Sequence, residues 1–104
     1  MVNRWRGEVG LQVNGEGCVM RLSLGALAEL EERIGAAGLL ELVQRFESSA
    51  FTAQDLSDLL FAGLSCGGWS GSHEDLKRAH ISGGAEAAVR AAAQLLKVTF
   101  SAEP

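Results

Sequence analysis

The stretch from Val19 to Gly35, VMRLSLGALAELEERIG, constrains the fold more than any other part of the chain, because its hydrophobic period changes midway. Met20, Leu22 and Leu24 alternate with Val19, Arg21 and Ser23, the period of two of a half-buried strand. From Leu27 onward, Leu27, Leu30 and Ile34 recur at helical spacing, with Glu29, Glu31, Glu32 and Arg33 mostly on the other faces. Gly35 supplies the φ > 0 position on which helices commonly end. A strand running straight into an amphipathic helix predicts an α+β fold.

Upstream, Val9, Leu11 and Val13 alternate with Glu8, Gly10 and Gln12, and Asn14-Gly15 is a turn signal ahead of the second strand. Residues 6–24 therefore read as an antiparallel hairpin. A two-residue turn pairs Leu11 with Cys18 and Val9 with Met20; a four-residue turn pairs Leu11 with Met20 and Val9 with Leu22. Both registers put Val9, Leu11, Val13, Met20 and Leu22 on one face. A lone hairpin is marginal in water, so this face must pack on helices.

The helical part is expected over residues 25–98, as four to five short helices. A second helix is predicted from about Ala37 to Glu47, with Leu39, Leu42, Val43 and Phe46 as its stripe and Ser48-Ser49 as its end. In the third, Thr52 and Asp55 form a short-armed capping box, Phe51 and Leu56 stand at the staple positions, and Leu56, Leu59, Leu60 and Leu64 share a face. SCGGWSGS, residues 65–72, is a glycine-serine loop holding Trp69. Ser72 caps a short fourth helix with Leu76 turned inward, and Ile81-Ser82-Gly83-Gly84 closes it. The last helix runs from Ala85 to about Val98, with a frayed tail from Ser101 to Pro104. At 104 residues, 47% hydrophobic and 21% charged, the chain reads as one globular domain without an internal boundary.

Charge is unevenly placed. Residues 24–75 carry nine acids against Arg33 and Arg45, while both flanks are slightly basic. An anionic middle opposes docking on a phosphate backbone and suits either a basic protein partner or plain solvation. No apolar run spans a bilayer, and MVNRWRGEVG lacks a signal-peptide core, so a membrane and export are not expected. Cys18 and Cys66 are accordingly expected reduced and buried.

No chemistry-bearing constellation emerges. Glu29, Glu31 and Glu32, and the pair Asp55 and Asp58, read as solvated helix faces rather than as a general acid–base pair. His73 and His80 bracket Leu76, with Cys66 seven residues before His73, but neither C-x-x-C nor H-x-x-x-H occurs, so no metal is expected. Gly67-Gly68-x-x-Gly71 follows a helix and lacks the Lys-Ser/Thr of a phosphate loop, so no cofactor is expected. A helix-turn-helix over 52–80 would begin its recognition helix Ser72-His73-Glu74-Asp75, whose acids repel phosphate, so no nucleic acid is expected. Trp69 either folds back on the core or stands out as a partner anchor, and Trp5, between Arg4 and Arg6, poses the same choice.

NRWRGEV, opening into a hairpin with an NGEG turn and followed by RLSLGALAELEERIG, resembles the small proteins of the gene transfer agent and phage tail gene clusters of alphaproteobacteria. These are described variously as tail tube or tail-assembly-chaperone-like proteins. The likeness continues through a DL-x-x-LL-x-AGL helix, here Asp55 to Leu64, and an alanine-rich EAAVRAAAQLL from Glu86 to Leu96, so it covers nearly the whole chain. The resemblance implies a non-enzymatic role in assembling a phage-like tail in a bacterial cytoplasm. The implied partners are tape-measure or tail tube subunits, held as by a chaperone; a homo-oligomer is also compatible. The alternative is a tube or connector component that stays in the particle. On the chaperone reading Glu29 and Glu32 steer a basic client, and Trp69 and Trp5 are the partner-binding aromatics.

Overall fold

The computed structural model describes residues 7–101 of the chain. Trp5 and the tail residues 102–104 lie outside the described residues. The element order is ββααααα: β1 is Val9–Val13, β2 Glu16–Met20, α1 Leu24–Ile34, α2 Leu39–Glu47, α3 Ala53–Cys66, α4 His73–Lys77 and α5 Gly84–Ser101. The architecture is α+β, an antiparallel hairpin laid on helices.

The hairpin takes the two-residue turn. Asn14 and Gly15 both have positive φ, 52° and 83°, the left-handed pair that a type I′ turn requires and that matches the twist of the flanking strands. Val9 then faces Met20 and Leu11 faces Cys18. Val9, Leu11, Val13 and Met20 are buried on one face, with Leu22 and Cys18 packed beside them.

The alternation does not carry the strand to Leu24, as its pattern suggests. β2 ends at Met20, and Ser23 is the N-cap of α1, its hydroxyl accepting the Ala26 N–H at 3.1 Å. Leu24 is thereby the first helical residue, turned out and 79% exposed. Gly35 closes α1 with φ 80°.

The remaining elements follow local signals. Helix α2 starts at Leu39, two residues later than expected, and buries Leu42 and Phe46. Thr52 and Asp55 make the full reciprocal box at the start of α3, and Phe51 stacks on Phe46 with ring centroids 4.7 Å apart. Ser72 and Asp75 repeat the box at α4. Helix α5 continues through Ser101, further than expected, and buries Ala88, Ala92, Leu95, Leu96 and Val98.

Helix α3 is the centre of the molecule, packing against α1, β2, α5 and α4. Gly63 makes that possible. A Cβ there would stand 2.6 Å from Leu95 Cδ2 and 3.1 Å from Met20 Cβ, so a larger residue would have to displace the Leu95 side chain for strand and helix to close over α3. Both cysteines are free thiols, and both are half-buried rather than fully buried as expected.

Candidate protein-interaction surface

The hairpin edges are partly covered by the chain's own backbone, with Gly10 of β1 and Gly17 of β2 left open to an added strand. On the β2 side, the Arg21 N–H donates to the Gly63 carbonyl at 3.1 Å, and the Val19 carbonyl lies against Gly67. On the β1 side, Ile81 bridges Val13, the Asn14 N–H donates to the His80 carbonyl at 2.8 Å, and the Ser82 N–H donates to Gln12 at 3.3 Å. Gln12 and Asn14 face outward, so by the alternation of an antiparallel ladder Gly10 does too. Among the described residues of β1, an added strand would find an open pair of backbone groups only at Gly10.

The helical side is different. An open, mainly apolar groove of about 480 Å³ runs between α3 and α4, lined by Ala53, Leu56, Leu60, Leu76, Ala79 and Ile81, with Gln54, Ser57 and Lys77 as its polar members. Leu60 and Leu76 are buried at its floor, while Leu56, Ala79 and Ile81 are half-buried. Amphipathic helices use such grooves, with apolar side chains supplying contact area and the rim supplying polarity.

A second, tighter hollow of about 110 Å³ lies between α1 and α3 and reaches His73, with Glu29, Arg33, Asp58, Phe61 and Cys66 among its lining residues. Asp58 is the feature that sequence reasoning missed. Expected on a solvated face, it is 7% exposed, the sole buried charged residue among those described. Its Oδ1 accepts from Gln54 Nε2 at 2.9 Å and lies 3.4 Å from His73 Nε2. His73 also places Nε2 3.0 Å from Ser57 Oγ and stacks on Phe61, centroids 4.8 Å apart and planes 4° from parallel. These contacts satisfy a buried carboxylate that would otherwise be costly.

Serine, histidine and aspartate so placed invite comparison with a nucleophile relay. A relay needs the hydroxyl on one ring nitrogen and the carboxylate on the other, so that a proton taken from the hydroxyl is balanced across the ring. Ser57 and Asp58 both meet Nε2, which makes the cluster a clamp between α3 and α4. Cys66 is turned instead toward Ser23, its Sγ 3.8 Å from the hydroxyl. Among the described residues, no three His, Cys, Asp or Glu side chains gather as a metal site, and no helix is long and apolar enough to cross a membrane.

The structure separates the residues singled out from sequence. Glu29 and Glu32 share the exposed face of α1, where with Ala28, Glu31 and Ala36 they line a shallow acidic depression, and Glu29 also borders the Asp58 hollow. Trp69 lies elsewhere, half-buried against the core, with its indole over Gly71: a Cβ on Gly71 would come within 2.3 Å of the ring. Trp5 falls outside the described residues.

Against known families, residues 6–102 match the profile of the family described as phage tail tube protein, GTA-gp10. No curated protein and no solved structure matches the chain.

Proposed function

The chain belongs to the GTA-gp10 family of phage tail tube proteins, and on that premise we propose that it is a non-enzymatic tail-assembly protein. It acts as a chaperone in the bacterial cytoplasm, holding an apolar segment of a tape-measure or tail tube subunit until that subunit polymerises. The observation that carries this reading is the contrast between its two sides. The hairpin edges are partly covered by the chain's own Gly63, Gly67 and 80–82 backbone, with Gly10 and Gly17 left open, whereas the α3–α4 groove is a wider, open and mainly apolar concavity bordered by Lys77. Exposed apolar concavities of this kind mark protein-binding surfaces. The non-enzymatic part is supported by the Ser57–His73–Asp58 geometry, which serves packing.

The test is co-expression with tape-measure and tail tube subunits of a phage-like tail, followed by affinity capture through this chain. A tail subunit should co-purify and gain solubility; a chain that returns alone, with the co-expressed subunits' solubility unchanged, contradicts the proposal. The second reading, a component retained in the particle, is favoured by the family's description as a tube protein. Quantitative mass spectrometry of purified particles separates the two: a chaperone should be absent, a structural component present at fixed copy number.

A further inference from the structure

Residues Gly67 to Ile81 form a strap that is fixed at both ends, with Trp69 packed on the core near the first, and lightly seated at α4. At the first end a Cβ on Gly67 would stand 1.8 Å from the Val19 carbonyl oxygen, so the strap leaves α3 wedged against β2. At the other end Ile81 bridges Val13, and His80 and Asn14 share two hydrogen bonds: Asn14 N–H to the His80 carbonyl at 2.8 Å, and His80 N–H to Asn14 Oδ1 at 2.9 Å. Between these clamps α4 has five residues, of which only Leu76 is buried.

Two side chains dock α4 onto α3. Leu76 enters the apolar groove, and His73, three residues earlier, stacks on Phe61 and meets Ser57 and Asp58. The 110 Å³ hollow adjoins His73 and the larger groove adjoins Leu76, so α4 lies across one face of α3 with unfilled space on either side. A single-turn helix with one buried apolar side chain and exposed backbone hydrogen bonds belongs to the part of a protein that opens without global unfolding.

We propose that α4 is a built-in stand-in for the client helix. It lifts from α3 as a unit while both clamps hold, and the vacated face joins hollow and groove into one trough for an amphipathic helix of a tail protein partner. This identifies the occupant on the premise of the chaperone reading above. The occupant's chemistry is written in α4 itself. It is a leucine for the floor at Leu60 and, one turn earlier on the same face, a planar donor (imidazole or guanidinium) that stacks on Phe61 and reaches the Asp58 carboxylate. While α4 is seated it competes for the trough, so the apparent affinity for a client is lowered by the fraction of closed molecules.

Hydrogen exchange on the intact chain tests the lifting. The amides of Leu76, Arg78 and Ala79, which donate to Ser72, Asp75 and Leu76 carbonyls, should exchange at least about 100-fold faster than those in the middle of α3 and that of Asn14 in the clamp. Equal protection of α4 and α3 overturns the proposal, as does loss of the Asn14 clamp together with α4. The occupant is tested with an alanine-based helical peptide presenting His and Leu three residues apart, titrated into ¹⁵N-labelled chain. Amide shifts should centre on Ser57, Leu60 and Phe61 and saturate at about tenfold lower peptide in Leu76→Ala than in the native chain. Equal saturation in both, or shifts confined to other surfaces, overturns the stand-in. If Leu76→Ala does not fold, the exchange measurement on the native chain decides. A peptide that seats in the trough while no tail protein co-purifies sinks the chaperone reading alone; a captured tail protein with no seating peptide sinks the stand-in alone.

Discussion

Asp58 and Gly67 carry the most consequence per atom. Asp58 is a buried carboxylate satisfied by Gln54 and His73, so Asp58→Ala removes the acceptor both of them face. The expected cost is about 1–3 kcal/mol, read as a lower urea midpoint with an unchanged slope. Its burial was not legible in the sequence, because the partner lies fifteen residues on, past a glycine loop, and local pattern alone puts an i, i+3 acidic pair on a wet face. At Gly67 the obstacle is backbone, the Val19 carbonyl 1.8 Å from a would-be Cβ. At Gly63 it is the movable end of Leu95, at 2.6 Å, with Met20 behind it. Gly67→Ala should therefore destabilise more than Gly63→Ala, each by the order of 1–3 kcal/mol or above, and thermal melts of the two variants give the ranking directly.

At the level of elements, the capping signals were legible and the boundaries less so. Thr52-x-x-Asp55 and Ser72-x-x-Asp75 each form the reciprocal box that their spacing implies. Asn14-Gly15 decided the register once both residues took positive φ, a choice the hydrophobic alternation could not make because both registers bury the same face. Ser23 misled. In a run of alternating leucines it reads as an outward strand residue, yet its hydroxyl starts α1 and leaves Leu24 exposed. The Val13–Ile81 bridge had no local signature either, since it joins positions 68 residues apart through chain reversal alone.

The α4 cap carries its own pH dependence. Hydrogen bonds from the Ser72 backbone N–H, and then from its hydroxyl, hold the Asp75 carboxyl below its ordinary value of 3.8. A lowered folded-state value means that the charged form stabilises the fold, fully so above 3.8, and that this contribution is lost as pH falls from there through the lowered value. Protection of the Leu76 amide should fall in that acid window in the native chain, and the step should be missing in Asp75→Asn.

For the molecule as a whole, the same chain segments that complete the fold also decide how it can meet others. Gly63, Gly67 and residues 80–82 cover part of the hairpin edge on both sides. On the helical side the groove over Leu56 and Leu60 is an open concavity of about 480 Å³, with Ala53 and Ala79 among its lining residues. The family was legible in the sequence because its motifs are packing motifs spread over the whole chain. The surface was not, because a groove is made by the relative placement of α3 and α4 and leaves no periodic trace in either.

Affinity capture of co-expressed tail proteins by the native chain and by Ala53→Glu/Ala79→Glu tests the groove most directly. The two carboxylates would line the groove, and Ala53 is in the first turn of α3, where an acid is tolerated. The expected result is a co-purifying tail subunit with the native chain, and at least about tenfold less with the double variant, a loss of roughly 1.4 kcal/mol of binding, at an unchanged circular dichroism spectrum. Equal capture by both chains would contradict the groove as the client site.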